Sequence, residues 1–168
     1  TCGASIPGST VGATNELQAV CGIAGVTTQN SAGVWYKINP GAEAQDITIT
    51  TCVPTGGTDT RLAVFSGACG AFTCIGGNDD NSGCTTATLT SEVLFAATAN
   101  TDYYILVYMY SNTTQNPFTI SASCIPICSP ATTNDVCANA QNVDMVAYGG
   151  TPTSTNNSCS TAEAHQLA

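Results

Sequence analysis

Charge is what this chain has least of. Only 8% of its 168 residues are charged, Lys37 and Arg61 are its two strong cations, and the net charge is −9. Two cations cannot follow a phosphate backbone or hold an anionic lipid surface, so nucleic acid and membrane-surface partners are excluded. Histidine is almost absent too. The single His165 sits near the C-terminus and no Gly-x-Ser-x-Gly elbow is present, which removes Ser/His and Cys/His machinery. No catalytic residue and no enzymatic activity are expected. No CxxC pair occurs among the cysteines, which excludes the common zinc spacings. Long apolar runs are missing as well. The longest, residues 103–110, has eight residues, enough for a buried strand and too short for a membrane span. Helical periodicity is absent throughout. The sequence begins at Thr1 with no leader-like pattern, and the expectation is a mature secreted chain whose targeting segment is gone.

Hydroxyls and cysteines are abundant. The 27 Thr and 13 Ser must supply, with amides and attached sugar, the solubility that charge does not. Asn112-Thr113-Thr114 and Asn156-Asn157-Ser158 fit the N-glycosylation rule, which makes Asn112 and Asn156 the expected sugar sites. Ten cysteines in a lysine-poor chain read as a disulfide framework from an oxidising, extracellular compartment. Short range favours Cys69 with Cys74 and Cys128 with Cys137. Cys52 and Cys84 flank one Gly/Asp-rich region and form a third expected pair. Cys2, Cys21, Cys124 and Cys159 are left without assigned partners.

Strand patterning recurs between Gly, Pro, Asn and Asp turns. Val34, Tyr36 and Ile38 alternate with Trp35 and Lys37, and Ile47 and Ile49 with Thr48 and Thr50. Leu62 and Val64 alternate with Ala63 and Phe65, and Val93, Phe95 and Ala97 form another face. Phe118, Ile120, Ala122 and Cys124 alternate with Thr119, Ser121 and Ser123, while residues 103–110 are apolar on both sides and predict a central strand. Seven or eight such strands predict an all-β antiparallel sandwich, stapled by disulfides.

The body is expected over residues 1–125, and a proline-bearing linker over 126–133. Residues 134–168 form a C-terminal tail that reads like the start of a second copy of the body. Cys137-Ala-Asn-Ala to Cys159 parallels Cys2-Gly-Ala-Ser to Cys21, and then stops. A repeat that starts and does not finish cannot bury its own apolar face. Either the chain is a slice of a tandem array or the tail completes another molecule.

The run Gly33-Val34-Trp35-Tyr36-Lys37, then Asp59 to Gly70, then Cys74-Ile75-Gly76-Gly77-Asn78-Asp79-Asp80, then Tyr103-Tyr104-Ile105-Leu106-Val107 and Asn134-Asp135-Val136-Cys137-Ala138-Asn139-Ala140, resembles the pre-peptidase C-terminal-like repeats of large secreted proteins. The resemblance implies a jelly-roll-like sandwich with accessory, adhesive or structural roles and no catalytic residues. It also implies that the Asn-Asp-x-Cys-x-Asn-Ala element opens the domain. Here that element follows the body, so the body is expected to lack its first strand.

Two further patterns invite a site. Asn78, Asp79, Asp80 and Asn81, with Asp59 in a neighbouring turn, supply hard oxygens suited to Ca²⁺, or a turn whose Asx side chains satisfy backbone NH groups. Trp35, Tyr36, Tyr103, Tyr104, Tyr108 and Tyr110 read as a sugar-stacking face or as core packing. The expected role is an extracellular structural protein, a cell-surface appendage built from identical chains head to tail. In it the tail strand, with Val143, Met145, Val146 and Tyr148 at the subunit interface, completes a neighbour. The alternative is a carbohydrate- or surface-binding accessory module of a larger secreted protein. No cofactor beyond Ca²⁺ is expected.

Overall fold

A computed structural model of the chain describes residues 2–19, 21–23, 28–53, 57–84 and 88–127. Nine strands follow in order: β1 Ser5–Ser9, β2 Asn15–Ala19, β3 Thr28–Ile38, β4 Gln45–Thr50, β5 Thr60–Ala68, β6 Ala71–Asn78, β7 Glu92–Ala97, β8 Tyr103–Met109 and β9 Pro117–Pro126. They form two antiparallel sheets, one in the order β1-β9-β4-β7 and the other in the order β2-β3-β8-β5-β6. Alternation places Ile47, Ile49, Val93, Phe95, Phe118 and Ile120 on the inner face of the first sheet. They meet Ile38, Leu62, Val64, Ile105 and Val107 from the second. β8 is central, between β3 and β5, as its two-sided apolar sequence predicts.

The second apolar side of β8 is explained by a smaller cluster on the outer face of the five-stranded sheet. Leu106 and Tyr108 pack there with Ala63, Phe65 and Cys21. Cys21 is disulfide-bonded to Cys74 of β6, which lays residues 21 and 22 across Gly76 and Gly77. A Cβ at Gly77 would run into the Cys21 carbonyl, so this close approach requires a glycine.

The expected Cys69–Cys74 bridge is corrected by the same region. β5 and β6 form a hairpin that pairs Ala68 with Ala71 and Phe65 with Cys74. Cys69 therefore sits at the turn, exposed and without a disulfide partner. Cys74 lies several rungs up the ladder, beyond the short Cα separation a disulfide allows. The stretch around Cys74 is thus the edge strand β6. Cys52 and Cys84 are bonded. Cys2 bonds Cys124 across 122 residues, clamping β1 against β9, where Ser5 to Ser9 pair with Ser121 to Pro117. In the chain-entropy picture, a bridge spanning 53 residues, as Cys21–Cys74 does, contributes about 4 kcal/mol. The pairing expected for Cys128 and Cys137, and the tail residues Val143, Met145, Val146, Tyr148 and Asn156, lie outside the described residues.

Candidate functional site: an open seam and an acidic turn

A sandwich has two seams where the edges of its sheets meet. One is closed. Between β6 and β7, the Asn78 side-chain oxygen accepts a hydrogen bond from the Glu92 amide at 3.0 Å, and the Asn81 amide donates to the Thr90 carbonyl at 2.7 Å. The Ser91 hydroxyl donates to the Asp79 carbonyl at 2.6 Å. Beneath them, the Thr51 and Thr60 hydroxyls share a hydrogen bond of 2.6 Å, and the Ser91 amide donates to Thr51 at 3.0 Å. This buried threonine and serine layer is polar but satisfied, the condition under which burial costs little.

The opposite seam, between β1 and β3, is open. Residues 28–32 of β3 pair with β2, and residues 33–38 pair with β8. Among the described residues, no strand pairs with residues 33–38 on the side away from β8. Beside this bare edge lies a cleft of about 70 Å³, walled by Ile6 of β1 and Ala4 just before it, Ile120 and Ala122 of β9, and Tyr36 and Ile38 of β3, with Ile49 and Ile105 among the residues that line it. Ile6 is 44% exposed. Toward Gly8 the seam narrows, because a Cβ there would strike the Tyr36 hydroxyl and the Phe118 ring. Burial raises the Tyr36 phenol above its ordinary pKa. At the other end of β3, Lys37 has a side chain 58% exposed and pairs with Asp102 at 3.2 Å, while Asn39 donates to the same carboxylate at 2.8 Å. The bond from Asn39, and after it the one from Lys37, lower the Asp102 pKa. The sequence pattern identified the inward face of β3 and did not show that its edge is bare, because alternation says which way a side chain points and not which strand lies next to it.

The acidic turn expected to offer oxygens to Ca²⁺ sits at the closed seam. One carboxylate oxygen each from Asp59, Asp79 and Asp80 lies within 4.8 Å of the others. Burial, then the charges of Asp79 and Asp80, raise the Asp59 pKa, and Arg61 opposes them. Arg61 itself is held by a 2.9 Å ion pair to Asp79, with side chains 10% and 24% exposed, and its guanidinium lies 4.5 Å over the Tyr110 ring. The bond to Asp79 raises the Arg61 pKa. Among the described residues, Asp59 Oδ1 and Asp79 Oδ1 are buried without hydrogen-bond partners, and these two, with Asp80, are the groups that could hold a cation. Calcium takes six to eight oxygens, and Asn78 does not add one. Its oxygen serves Glu92 and its amide nitrogen donates to the Asp80 carbonyl at 3.2 Å. Asn81 likewise accepts from the Gly83 amide at 2.9 Å, as an Asx turn does. Arg61, on the outer face of β5, is the member of this group that the sequence pattern missed.

The six aromatics considered as one stacking face are separated by the fold. Tyr36 and Tyr103 point into the core, and Tyr110 lies under Arg61. Trp35 and Tyr104 share the outer face with Phe72, Trp35 to Phe72 and Phe72 to Tyr104 each being 5.1 Å between ring centres. Asn112 is exposed in the turn between β8 and β9, where the Thr114 amide donates to the Ser111 carbonyl at 3.3 Å.

Strand pairing, packing and staples together define an all-β, disulfide-bonded antiparallel sandwich. No family model and no curated protein matches the chain. Two solved structures are similar to it. One is the pre-peptidase C-terminal domain of a collagenase from Bacillus anthracis, at 16% identity over 73% of this chain and 90% of that one, with a TM-score of 0.42. The other is PliG from Aeromonas hydrophila, a periplasmic lysozyme inhibitor of g-type lysozyme, at 17% identity over 73% of this chain and 86% of that one, with a TM-score of 0.38. The first is a domain of the kind that the sequence motifs resemble.

Proposed function

We propose that the protein is a non-catalytic extracellular structural subunit that polymerises head to tail by β-strand donation. The carrying observation is the bare edge of β3 over residues 33–38. Unpaired backbone NH and C=O groups along such an edge are a template for another strand. The sequence around Val143 and Met145 has the alternation such a strand needs, and it is too short to build a core alone. Burial of two large apolar side chains contributes roughly 1.5–3 kcal/mol each before ordering costs. A head-to-tail contact that does not close produces a filament, here a cell-surface appendage. Three disulfides support an oxidising compartment.

Negative-stain images test the reading. The whole chain should give fibres, and a chain lacking residues 134–168 should give none. Fibres from the shortened chain would defeat it. The half-buried Trp35, Phe72 and Tyr104 favour a second reading, a carbohydrate-binding accessory module. In that case the whole chain should appear as single globules that bind polysaccharide.

A further inference from the structure

We propose that the cleft between β1 and β3 of one chain receives residues 142–148 of a second copy, with Val143 and Met145 turned inward and Asp144 turned outward beside Lys37. The inference rests on the strand-donation reading and names the acceptor. Four observations lead to it. Among the described residues, the seam between β6 and β7 is already bridged by a hydrogen bond from the Glu92 amide to Asn78 and one from the Asn81 amide to Thr90, whereas residues 33–38 of β3 border an open apolar cleft. A strand added to β3 must alternate its side chains between that cleft and the outer face. Residues 143, 145 and 147 are Val, Met and Ala, whereas 144, 146 and 148 are Asp, Val and Tyr. The first set suits a small apolar cleft walled by Ile6, Ile38, Ile120 and Ala122. The second would lie on the face of Trp35 and Lys37.

Charge fixes the choice of face. The chain has two strong cations, and both already have a partner, Arg61 in Asp79 at the other seam and Lys37 in Asp102. Lys37 is the exposed one, and it stands on the bare strand. An outward Asp144 meets it as an opposite charge across neighbouring strands, an arrangement that selects register and partner.

Reach allows a second copy to be the source of the strand, and the test below separates it from the chain's own tail. Fifteen residues, 128–142, separate Ile127 from Val143, and that length spans up to about 50 Å when extended.

The test places a benzophenone amino acid at position 6, on the cleft wall, in whole chains mixed from ¹⁴N- and ¹⁵N-labelled batches, with filament formation followed in parallel by electron microscopy. The expected result is a cross-link from position 6 to the peptide containing Asp144, joining light to heavy chains. Cross-links confined to one chain overturn the proposal. Filaments whose position 6 is cross-linked elsewhere, or not at all, overturn the acceptor while leaving strand donation standing. Absence of filaments from the whole unsubstituted chain overturns both. In a second arm, Lys37→Glu should slow assembly roughly tenfold and Asp144→Lys in the same chain should restore it. Failure of the restoring change, in proteins shown by circular dichroism to be folded, also counts against the register.

Discussion

Tyr108 is 1% exposed and its hydroxyl has no hydrogen-bond partner among the described residues. Burial pushes its pKa up from 10.0 to about 12. A phenol whose folded pKa is raised holds its full contribution to stability below the ordinary value and loses it as pH rises through the folded one. The fold should therefore lose about 2–3 kcal/mol between about pH 10 and pH 12 from this residue, at 1.36 kcal/mol per unit. Tyr108→Phe removes both the ionisation and the unsatisfied hydroxyl. It should stabilise the protein by about 1 kcal/mol at neutral pH and flatten the alkaline loss, read from urea midpoints across that range. Asp59 follows the same sign for a different reason. Its pKa is raised by burial and by Asp79 and Asp80, so stability present below its ordinary 3.8 declines as pH rises through the raised value. Asp59→Asn should make the urea midpoint less dependent on pH above the ordinary carboxylate value. A dependence unchanged by the substitution would mean that Asp59 is not the group that titrates. Asp102 has the opposite sign, since its pKa is lowered and its contribution is lost as pH falls, but it is exposed and screened.

Among the elements, β6 shows how two adjacent glycines differ. A Cβ at Gly77 would collide with the backbone of Cys21 and lie 2.9 Å from the Leu62 carbonyl oxygen, and neither can give way while the Cys21–Cys74 bridge holds. A Cβ at Gly76 would meet only a Val93 methyl at 3.4 Å. Gly77→Ala should cost about 2–3 kcal/mol as an overpacked backbone contact, and Gly76→Ala less than about 1 kcal/mol. Equilibrium unfolding of the two variants decides this, and equal costs would show that residues 21 and 22 do not press on β6. The sequence signalled most strands through alternation but not β6, because small residues and a Gly-Gly pair carry no apolar period. It also missed β2, and β1, whose residues are largely exposed and which is held by its pairing with β9 and by the Cys2–Cys124 bridge.

At the scale of the whole molecule, the placement of Asn112 bears on assembly. Its turn follows β8, and the adjoining start of β9 pairs with Ser9 of β1, whereas the cleft opens along β1 toward Ala4, at the other end. A glycan on Asn112 would leave the seam accessible. Intact mass of the secreted protein should fall on deglycosylation, Asn112→Gln should remove the sugar at that site, and filaments should form equally well from either protein. Loss of filaments on Asn112→Gln would place the assembly contact at the β8–β9 turn instead. The same view explains why the metal reading was only half visible in the sequence. Asp79 and Asp80 are neighbours in the chain, but Asp59 and Arg61 arrive from β5 and its preceding turn through sheet pairing.

By itself the sequence determined the class of this protein. Period-two alternation, the absence of helical spacing and ten cysteines in a nearly uncharged chain require an all-β, disulfide-stapled body, since those properties depend on residues close in the chain. Cys52 and Cys84 were legible as a pair because both border one turn region. Only the tertiary structure decided that Cys21 meets Cys74 and Cys2 meets Cys124, that Arg61 is bound to Asp79, and that one seam is closed by hydrogen bonds while the other stands open beside β3. The physical reason is common to all four. Alternation fixes the face on which a side chain lies, but the partner across a sheet edge is set by strand order, which no local pattern encodes.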